Sequence, residues 1–213
     1  MKNTEHLVKG DIESMERRTR TQLINSLSGF KSINLCGTIS KEGVTNLSLI
    51  SSVVHIGANP ALMGFIMRPV TVRRDTYNNI LETGHYTFNH LNEAIFKKAH
   101  QTSARYPVET SEFEAAELTE IYSEVMKAPY VQESHIRIGL EFVEKIPIPV
   151  NGTLLMIGKV TEIFFPKNCW LADGYLDIEK AGSITTSSLD TYHRTQKIAR
   201  LSYAKADRMI KEI

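Results

Sequence analysis

Two short stretches carry the side chains whose types and spacing could do chemistry. In the first, "TNLSLISSVV" (residues 45–54), small polar residues alternate with apolar ones, and the polar positions include Asn46, Ser48 and Ser52. Because successive side chains of a strand point to opposite faces, an unbroken strand would present these three on one face. Short uncharged donors and acceptors are suited to binding the edge of a polar, planar, uncharged ring. A polar strand face that meets solvent is the alternative interpretation.

The second stretch, "RPVTVRRDTYNN", gathers three arginines just before an expected helix: Arg68, Arg73 and Arg74. Asp75 is expected to cap this helix, and Thr76 supplies a hydroxyl group. The N–H groups at a helix N-terminus bind anions, and neighbouring guanidinium groups add charge-assisted hydrogen bonds. A phosphate monoester is therefore a natural ligand. Three surface arginines beside an ordinary helix are the alternative.

Motifs for other kinds of catalysis do not occur in the sequence. The 7 histidines form no HxxxH or HExxH spacing, so no metal site is expected. The 2 cysteines, Cys36 and Cys169, indicate neither a disulfide framework nor a zinc site. There is no GxSxG motif, GxGxxG motif or P-loop. An enzyme built on this chain would therefore depend on a bound organic cofactor for its difficult step.

Composition narrows the possible partners. The 213 residues carry 25 basic and 24 acidic side chains, a net charge of +1, which argues against a protein whose main work is nucleic-acid binding. Nowhere do eighteen apolar residues follow one another, so no transmembrane helix is expected. The N-terminus lacks the apolar segment of a signal peptide. We therefore expect a cytoplasmic protein that neither binds nucleic acid nor inserts into a membrane.

The elements that must position these residues are mostly strands. Helices are expected over 11–28, 73–84 and 92–104. Strands are expected over 30–40 and 46–58, which form a β-hairpin with a tight turn at Gly43, and over 61–68, 85–91, 135–146 and 152–165. The tail over 197–213 is expected to be partly helical. Few helices and hairpin connections favour an antiparallel β-barrel with helices packed outside it. No flexible linker divides the chain. We expect one domain over 1–213, made of an N-terminal helix (1–29), a barrel core (30–166) and a C-terminal extension (167–213).

The order of motifs resembles the flavin reductase-like family, the FMN-binding split barrels. The resemblance extends over residues 30–182 and is carried by Asn46, Ser48, Ser51, Ser52, Val53, Pro60, Arg68, Asp75, Thr76, Asn79, Ile80, Thr83, Gly84, Tyr86 and Asn89. It implies a mainly β fold with peripheral helices, an antiparallel split β-barrel of Greek-key type. It also implies a homodimer with the flavins near the subunit interface.

The same resemblance implies a function and a set of cofactor-binding residues. The function is reduction of FMN by NAD(P)H, with electrons passing on to an acceptor; some relatives accept FAD. The implied cofactor-binding residues are Asn46, Ser48, Ser51, Ser52, Val53, Arg68, Arg73, Asp75, Thr76, Asn89, His100 and Ser103. No catalytic side chain is implied, because hydride transfer between two rings depends on their orientation.

Two other functions fit the resemblance. One is a flavoredoxin-like electron-transfer protein that binds flavin and has little NAD(P)H activity of its own. The other is oxidation of a pyridoxal-type substrate by bound flavin, as in the related pyridoxamine-phosphate-oxidase barrels. The C-terminal half, however, lacks a recognisable cluster of residues that would bind the phosphate of such a substrate.

Overall fold

The chain begins with two short helices, where the sequence predicted one helix over 11–28. In the computed structural model, which describes residues 3–213, these helices are α1 (Lys9–Ser14) and α2 (Arg17–Leu27). The break occurs because Glu16 caps the second helix: its carboxylate accepts hydrogen bonds from the N–H groups of Arg18 (2.7 Å) and Thr19 (3.0 Å). These two hydrogen bonds lower the pKa of Glu16.

Strands dominate the rest of the structure. They are β1 (Lys31–Ser32), β2 (Asn34–Ile39), β3 (Thr45–Ile50), β4 (Val53–Ala58), β5 (Ala61–Met67), β6 (His85–His90), β7 (Glu120–Ile121), β8 (Tyr130–Val131), β9 (Arg137–Ile148), β10 (Thr153–Phe164), β11 (Thr185–Ser187) and β12 (Thr191–His193). The remaining helices are α3 (Asp75–Thr83), α4 (Phe96–Gln101) and α5 (Glu112–Ala115), with a 3-10 turn at Lys167–Cys169.

Seven of these strands form one antiparallel sheet in the order β3-β2-β6-β9-β10-β5-β4. Strands β3 and β4 are the two edges of this sheet, yet only residues 51–52 separate them along the chain. The sheet must therefore curl until its edges meet. The result is a barrel that stays open between β3 and β4, and it confirms the predicted mainly β, antiparallel split barrel with peripheral helices.

The β2–β3 hairpin fixes which residues face each other beside the opening. Gly43 adopts the left-handed conformation (φ 87°) in the turn, which a residue with a side chain rarely adopts. The register that follows places Thr38 opposite Asn46 and Cys36 opposite Ser48. The polar positions of β3 thus share one face with Cys36.

The two faces of this hairpin pack against different cores. Cys36 belongs to the barrel core, with Phe65, Tyr86, Phe88 and Met156. Leucines on the other face belong to a second core beneath α4 and α5, which consists of Ile33, Leu35, Leu47, Leu91, Ile95, Ala99, Phe113, Ala116, Leu118 and Val131. Period-two alternation therefore sends the polar side chains of β3 towards the barrel interior and its leucines towards the outer helices.

The tail is extended, so the prediction that it is partly helical is wrong. Strands β11 and β12 form a three-stranded sheet with β1. The last residues fold back on themselves: the Ser202 N–H donates to the Lys211 carbonyl (2.8 Å), and the Ile213 N–H donates to the Arg200 carbonyl (3.0 Å). These hydrogen bonds run across a small hairpin, which leaves its backbone groups unavailable for helical pairing.

Among the helices within residues 3–213, none combines the length and the apolarity that crossing a membrane requires.

Candidate functional site

The opening of the barrel lies at Ser51 and Ser52, where the chain leaves β3 and enters β4. The Ser52 hydroxyl accepts a hydrogen bond from the Ile66 N–H (3.1 Å) and donates one to the Ile66 carbonyl (3.2 Å). Ser52 therefore lies beside β5, with its hydroxyl group bonded to the β5 backbone. The expectation that it shares one face with Asn46 and Ser48 required an unbroken strand, and the strand is broken at 51–52.

The remaining polar side chains of β3 meet the start of helix α3. The Asn46 amide donates to the Thr76 hydroxyl (3.0 Å), and that hydroxyl donates to the Ser48 hydroxyl (2.9 Å). Asn46 is 8% exposed and Thr76 is 7% exposed. This burial excludes the alternative in which the polar face of the strand simply meets solvent.

Two further residues, which the sequence analysis left out of the site, complete this network. The Thr38 hydroxyl accepts hydrogen bonds from the amides of Asn46 (3.2 Å) and Asn79 (3.2 Å). Thr38 could have been found from the hairpin register, since it lies opposite Asn46. Asn79 follows Thr76 by three residues on α3 and therefore shares its helix face. We call Thr38, Asn46, Ser48, Thr76 and Asn79 the polar network.

Helix α3 is capped by a different residue from the one that the sequence predicted. Its N-cap is Arg74 and Asp75 is its first helical residue, so the prediction that Asp75 caps the helix is wrong. Asp75 is instead engaged by Arg73, whose Nε donates to the carboxylate (2.5 Å). No side chain caps the N–H groups of the first turn. Those donors remain available to a ligand.

Arg74, the N-cap residue of α3, carries a further unsatisfied donor. Its Nε is buried and has no hydrogen-bond partner among residues 3–213. An unpartnered guanidinium N–H is costly in a buried position, so an acceptor is expected beside it. Arg68 is exposed and lies two residues beyond Ile66, which contacts Ser52. Arg68 is thus placed near the opening of the barrel.

A cavity of about 350 Å³ lies beside Arg73. It is lined by Ser40, Glu42, Val44, Thr45, Asn46, Arg73, Asp75, Asn79, Pro107, Val108, Glu109, Thr110 and Glu112. Glu112 accepts a hydrogen bond from the Leu47 N–H (3.0 Å), and burial raises the pKa of its carboxyl group. Four acidic side chains against one arginine make this cavity unfavourable for a phosphate. In residues 3–213, no three His, Cys, Asp or Glu side chains come close enough together to hold a metal ion.

Asn89 and Val53, both predicted to contact the cofactor, point into the protein. Asn89 is completely buried: its amide donates to the Leu35 carbonyl (3.0 Å) and to the Thr87 hydroxyl (2.9 Å), and its oxygen accepts from the Val131 N–H (2.9 Å). Each polar atom of Asn89 is therefore engaged within the protein, and the structure gives it a structural role. The Val53 side chain packs against the barrel core, which leaves its backbone as the part that a ligand could contact.

His100 and Ser103 lie at the end of α4, apart from the polar network. Nδ1 of His100 is 2.8 Å from the Tyr192 hydroxyl of β12. Because α4 packs on the leucine face of β3, these two residues and Thr76 lie on opposite faces of that strand within one chain.

Comparison with known proteins agrees with this architecture. A crystal structure of a Shewanella frigidimarina protein with a split barrel domain superposes with a TM-score of 0.91 at 46% identity, covering 94% of this chain and 100% of that one. Component B of nitrilotriacetate monooxygenase from Bacillus cereus superposes with a TM-score of 0.82 at 24% identity, covering 93% of this chain and 100% of that one. Flavoredoxin of Desulfovibrio vulgaris superposes with a TM-score of 0.67 at 21% identity, covering 84% of this chain and 91% of that one. The last two likenesses establish the fold alone.

The model of the flavin reductase like domain matches residues 31–176, which is more than half of the chain. This stretch holds the polar network, the start of α3 and the opening of the barrel. The chain therefore belongs to the flavin reductase-like family.

Proposed function

We propose that the chain binds FMN at the opening between β3 and β4 and uses it to accept hydride from NAD(P)H. The observation that carries the proposal is the start of α3, where the first-turn N–H groups are uncapped and the N-cap residue, Arg74, has a buried and unpartnered Nε among residues 3–213. A phosphate group would satisfy both sets of donors. This requirement favours FMN over riboflavin.

The phosphate belongs on the Arg74 side of the helix start. On the other side, Arg73 is already paired with Asp75 and faces the carboxylates of the cavity. Arg68 is the exposed cation best placed to add a second contact. In this proposal Arg73 and Asp75, which the sequence also assigned to the cofactor, shape the helix start and do not contact the phosphate directly.

The polar network would hold the start of α3 against β3 while the ring lies along the opening. Thr76 connects the two elements, since its hydroxyl bonds both Asn46 and Ser48. Ser48 and Ser51 are only partly buried and could face the ring. The N–H groups of residues 51–53 are the candidate donors for the negative charge that a flavin carries after reduction.

Bound flavin would supply the redox chemistry, by taking a hydride from reduced nicotinamide and passing electrons to an acceptor. The protein's contribution is binding, orientation and exclusion of water. No acid or base side chain is required, since hydride transfer depends on holding two rings about 3–3.5 Å apart in the correct orientation.

We further propose that the working form is a homodimer. Alternate residues of β4, β5 and β9 present exposed apolar side chains on the outward side of the sheet: Val54 (44%), Ile56 (39%), Ile66 (36%) and Ile146 (42%). In the sheet register, Leu155 of β10 lies directly between Ile66 and Ile146. We call these five residues the sheet face. A second copy packed here would lie next to the barrel opening, because Ile66 contacts Ser52.

An anaerobic titration tests the proposed activity. Protein loaded with FMN is mixed with NADH or NADPH under nitrogen, and flavin absorbance is followed. Prompt bleaching by either nucleotide is expected. Flavin that stays oxidised with both nucleotides, but is bleached by dithionite, would replace the proposal with a flavoredoxin-like electron carrier.

A further inference from the structure

The last twenty residues follow a defined path away from the barrel. We call residues 194–213 the C-terminal arm. Three cations at every third position hold its first part to the body, through the ion pairs Arg194–Glu93 (2.5 Å), Lys197–Asp177 (2.8 Å) and Arg200–Asp173 (2.7 Å). The guanidinium group of Arg200 also lies 4.1 Å from the ring centre of Tyr175. The direction in which the arm leaves the body is therefore fixed.

The apolar side chains of the arm point away from the body that holds it. Ile198 is 100% exposed, Tyr203 86%, Met209 85% and Ile213 67%. Beyond Arg200, the hairpin described above is held together mainly by its own backbone hydrogen bonds. An isolated two-stranded hairpin is only marginally stable in water, so a further packing surface is needed to keep it in this form.

The total surface of the chain points to the same need. A compact monomer of 24.1 kDa is expected to expose about 10,000 Å². This chain exposes 13649 Å², which is roughly 3,600 Å² more than that expectation. Obligate homodimers bury from about 1,000 to 2,500 Å² on each partner. The excess is large enough for a stable dimer, and it is more than the four exposed side chains of the sheet face supply.

We infer that the C-terminal arm packs against a second copy of this chain. In a two-fold dimer, each subunit extends its arm to the other, so one contact covers both arms at once. A second copy of the chain would bury the excess exposed area, and no additional protein is needed to cover the arm. The inference goes beyond the proposed flavin chemistry, which needs only the sheet face and the barrel opening.

Isotope-resolved photo-cross-linking decides which chain the arm contacts. Tyr203 is replaced by the photoreactive residue p-benzoylphenylalanine, and the variant is made with ¹⁴N and with ¹⁵N. The two preparations are unfolded in urea, refolded together and irradiated, and cross-linked peptides are identified by mass. The arm peptide of one isotope joined to a body peptide of the other is expected. Cross-links that occur only within a single isotope, or an arm that joins no peptide at all, would overturn the inference.

Shortening the arm measures its contribution to assembly. A chain that ends at Arg200 keeps all three ion pairs and loses the hairpin. Its dimer dissociation constant, measured by analytical ultracentrifugation, is expected to rise at least tenfold. The dissociation constant of the double variant Tyr203→Ser, Met209→Ser is expected to rise as well. Val125→Ser is the matched control, because Val125 is 62% exposed and lies outside the arm. Dissociation constants that match the full-length chain would contradict the arm's role.

A flavin titration of the same shortened chain separates this inference from the proposed function. Retained FMN affinity with weakened assembly would support the arm contact alone. A full-length chain that binds no FMN would refute the proposed function while leaving the cross-linking result unaffected.

Discussion

The polar network makes a quantitative prediction at Thr76. The Thr76 hydroxyl accepts from the Asn46 amide (3.0 Å) and donates to the Ser48 hydroxyl (2.9 Å), and Thr76 is 7% exposed. Thr76→Val keeps the shape of the side chain and removes both hydrogen bonds. A buried polar group left without its partner costs about 1–3 kcal/mol, and Asn46 is itself buried. We expect the free energy of unfolding to fall by about 1–3 kcal/mol.

Thermal and urea unfolding of the flavin-free protein measure this loss. For a chain of this length, each 1 kcal/mol shifts Tm by about 2–4 °C, so the expected fall in Tm is about 2–12 °C. All variants are compared at one protein concentration, because assembly also changes apparent stability. Thr71→Val is the matched control: Thr71 is exposed in the loop before α3, and its change is expected to stay within about 0.5 kcal/mol.

A double-mutant cycle tests whether the loss arises from the network itself. Ser48→Ala removes one partner of Thr76, so the double variant should lose less stability than the sum of the two single variants. Strict additivity, or a Thr76→Val variant as stable as Thr71→Val, would refute the claim that the network holds α3 against β3.

Two further predictions concern buried rings of the barrel. Burial lowers the pKa of His90 to about 4, and its Nδ1 lies 2.9 Å from the Ser183 hydroxyl. Between about pH 6.5 and pH 4 the unfolded state therefore binds more protons than the folded state, so the free energy of unfolding is expected to fall as the pH drops through this range. His90→Gln should flatten this part of the stability–pH curve. The Tyr86 hydroxyl is buried without a partner among residues 3–213, whereas the Tyr130 hydroxyl donates to the Glu162 carboxylate (2.7 Å). Urea unfolding should therefore find Tyr86→Phe at least as stable as the wild type and Tyr130→Phe less stable by about 1–3 kcal/mol, and the reverse order would contradict the assignment.

The parts of the site that the sequence predicted depend on short-range rules. Alternation along β3 separates the leucines from Asn46 and Ser48 whatever the rest of the chain does. The arginines before α3 are likewise adjacent in sequence, so their collection at one helix start needed no long-range information. The split barrel followed from hairpin connections and from the family resemblance.

The errors arose where side chains from different elements compete. Asp75 was expected to cap α3, but the Arg73 guanidinium engages its carboxylate. Ser52 was placed with Asn46 because an unbroken strand was assumed, whereas the chain changes from one sheet edge to the other at 51–52. Asn89 was assigned to the flavin, but its amide group is engaged by Thr87 of its own strand and by the backbones of β2 and β8. The tail has enough apolar residues for a helix, but its backbone pairs within a hairpin.

The most direct test of the central claim compares FMN with riboflavin by titration calorimetry in the wild type and in Arg74→Ala. Arg17→Ala, which changes an exposed arginine of α2, is the control. A charge-assisted hydrogen bond contributes about 1.5–3 kcal/mol, so removing Arg74 should weaken FMN binding about 10- to 100-fold. Riboflavin, which lacks the phosphate, should be bound almost equally by all three proteins. Equal losses for the two ligands, or wild-type protein that binds neither, would contradict a phosphate site at the start of α3.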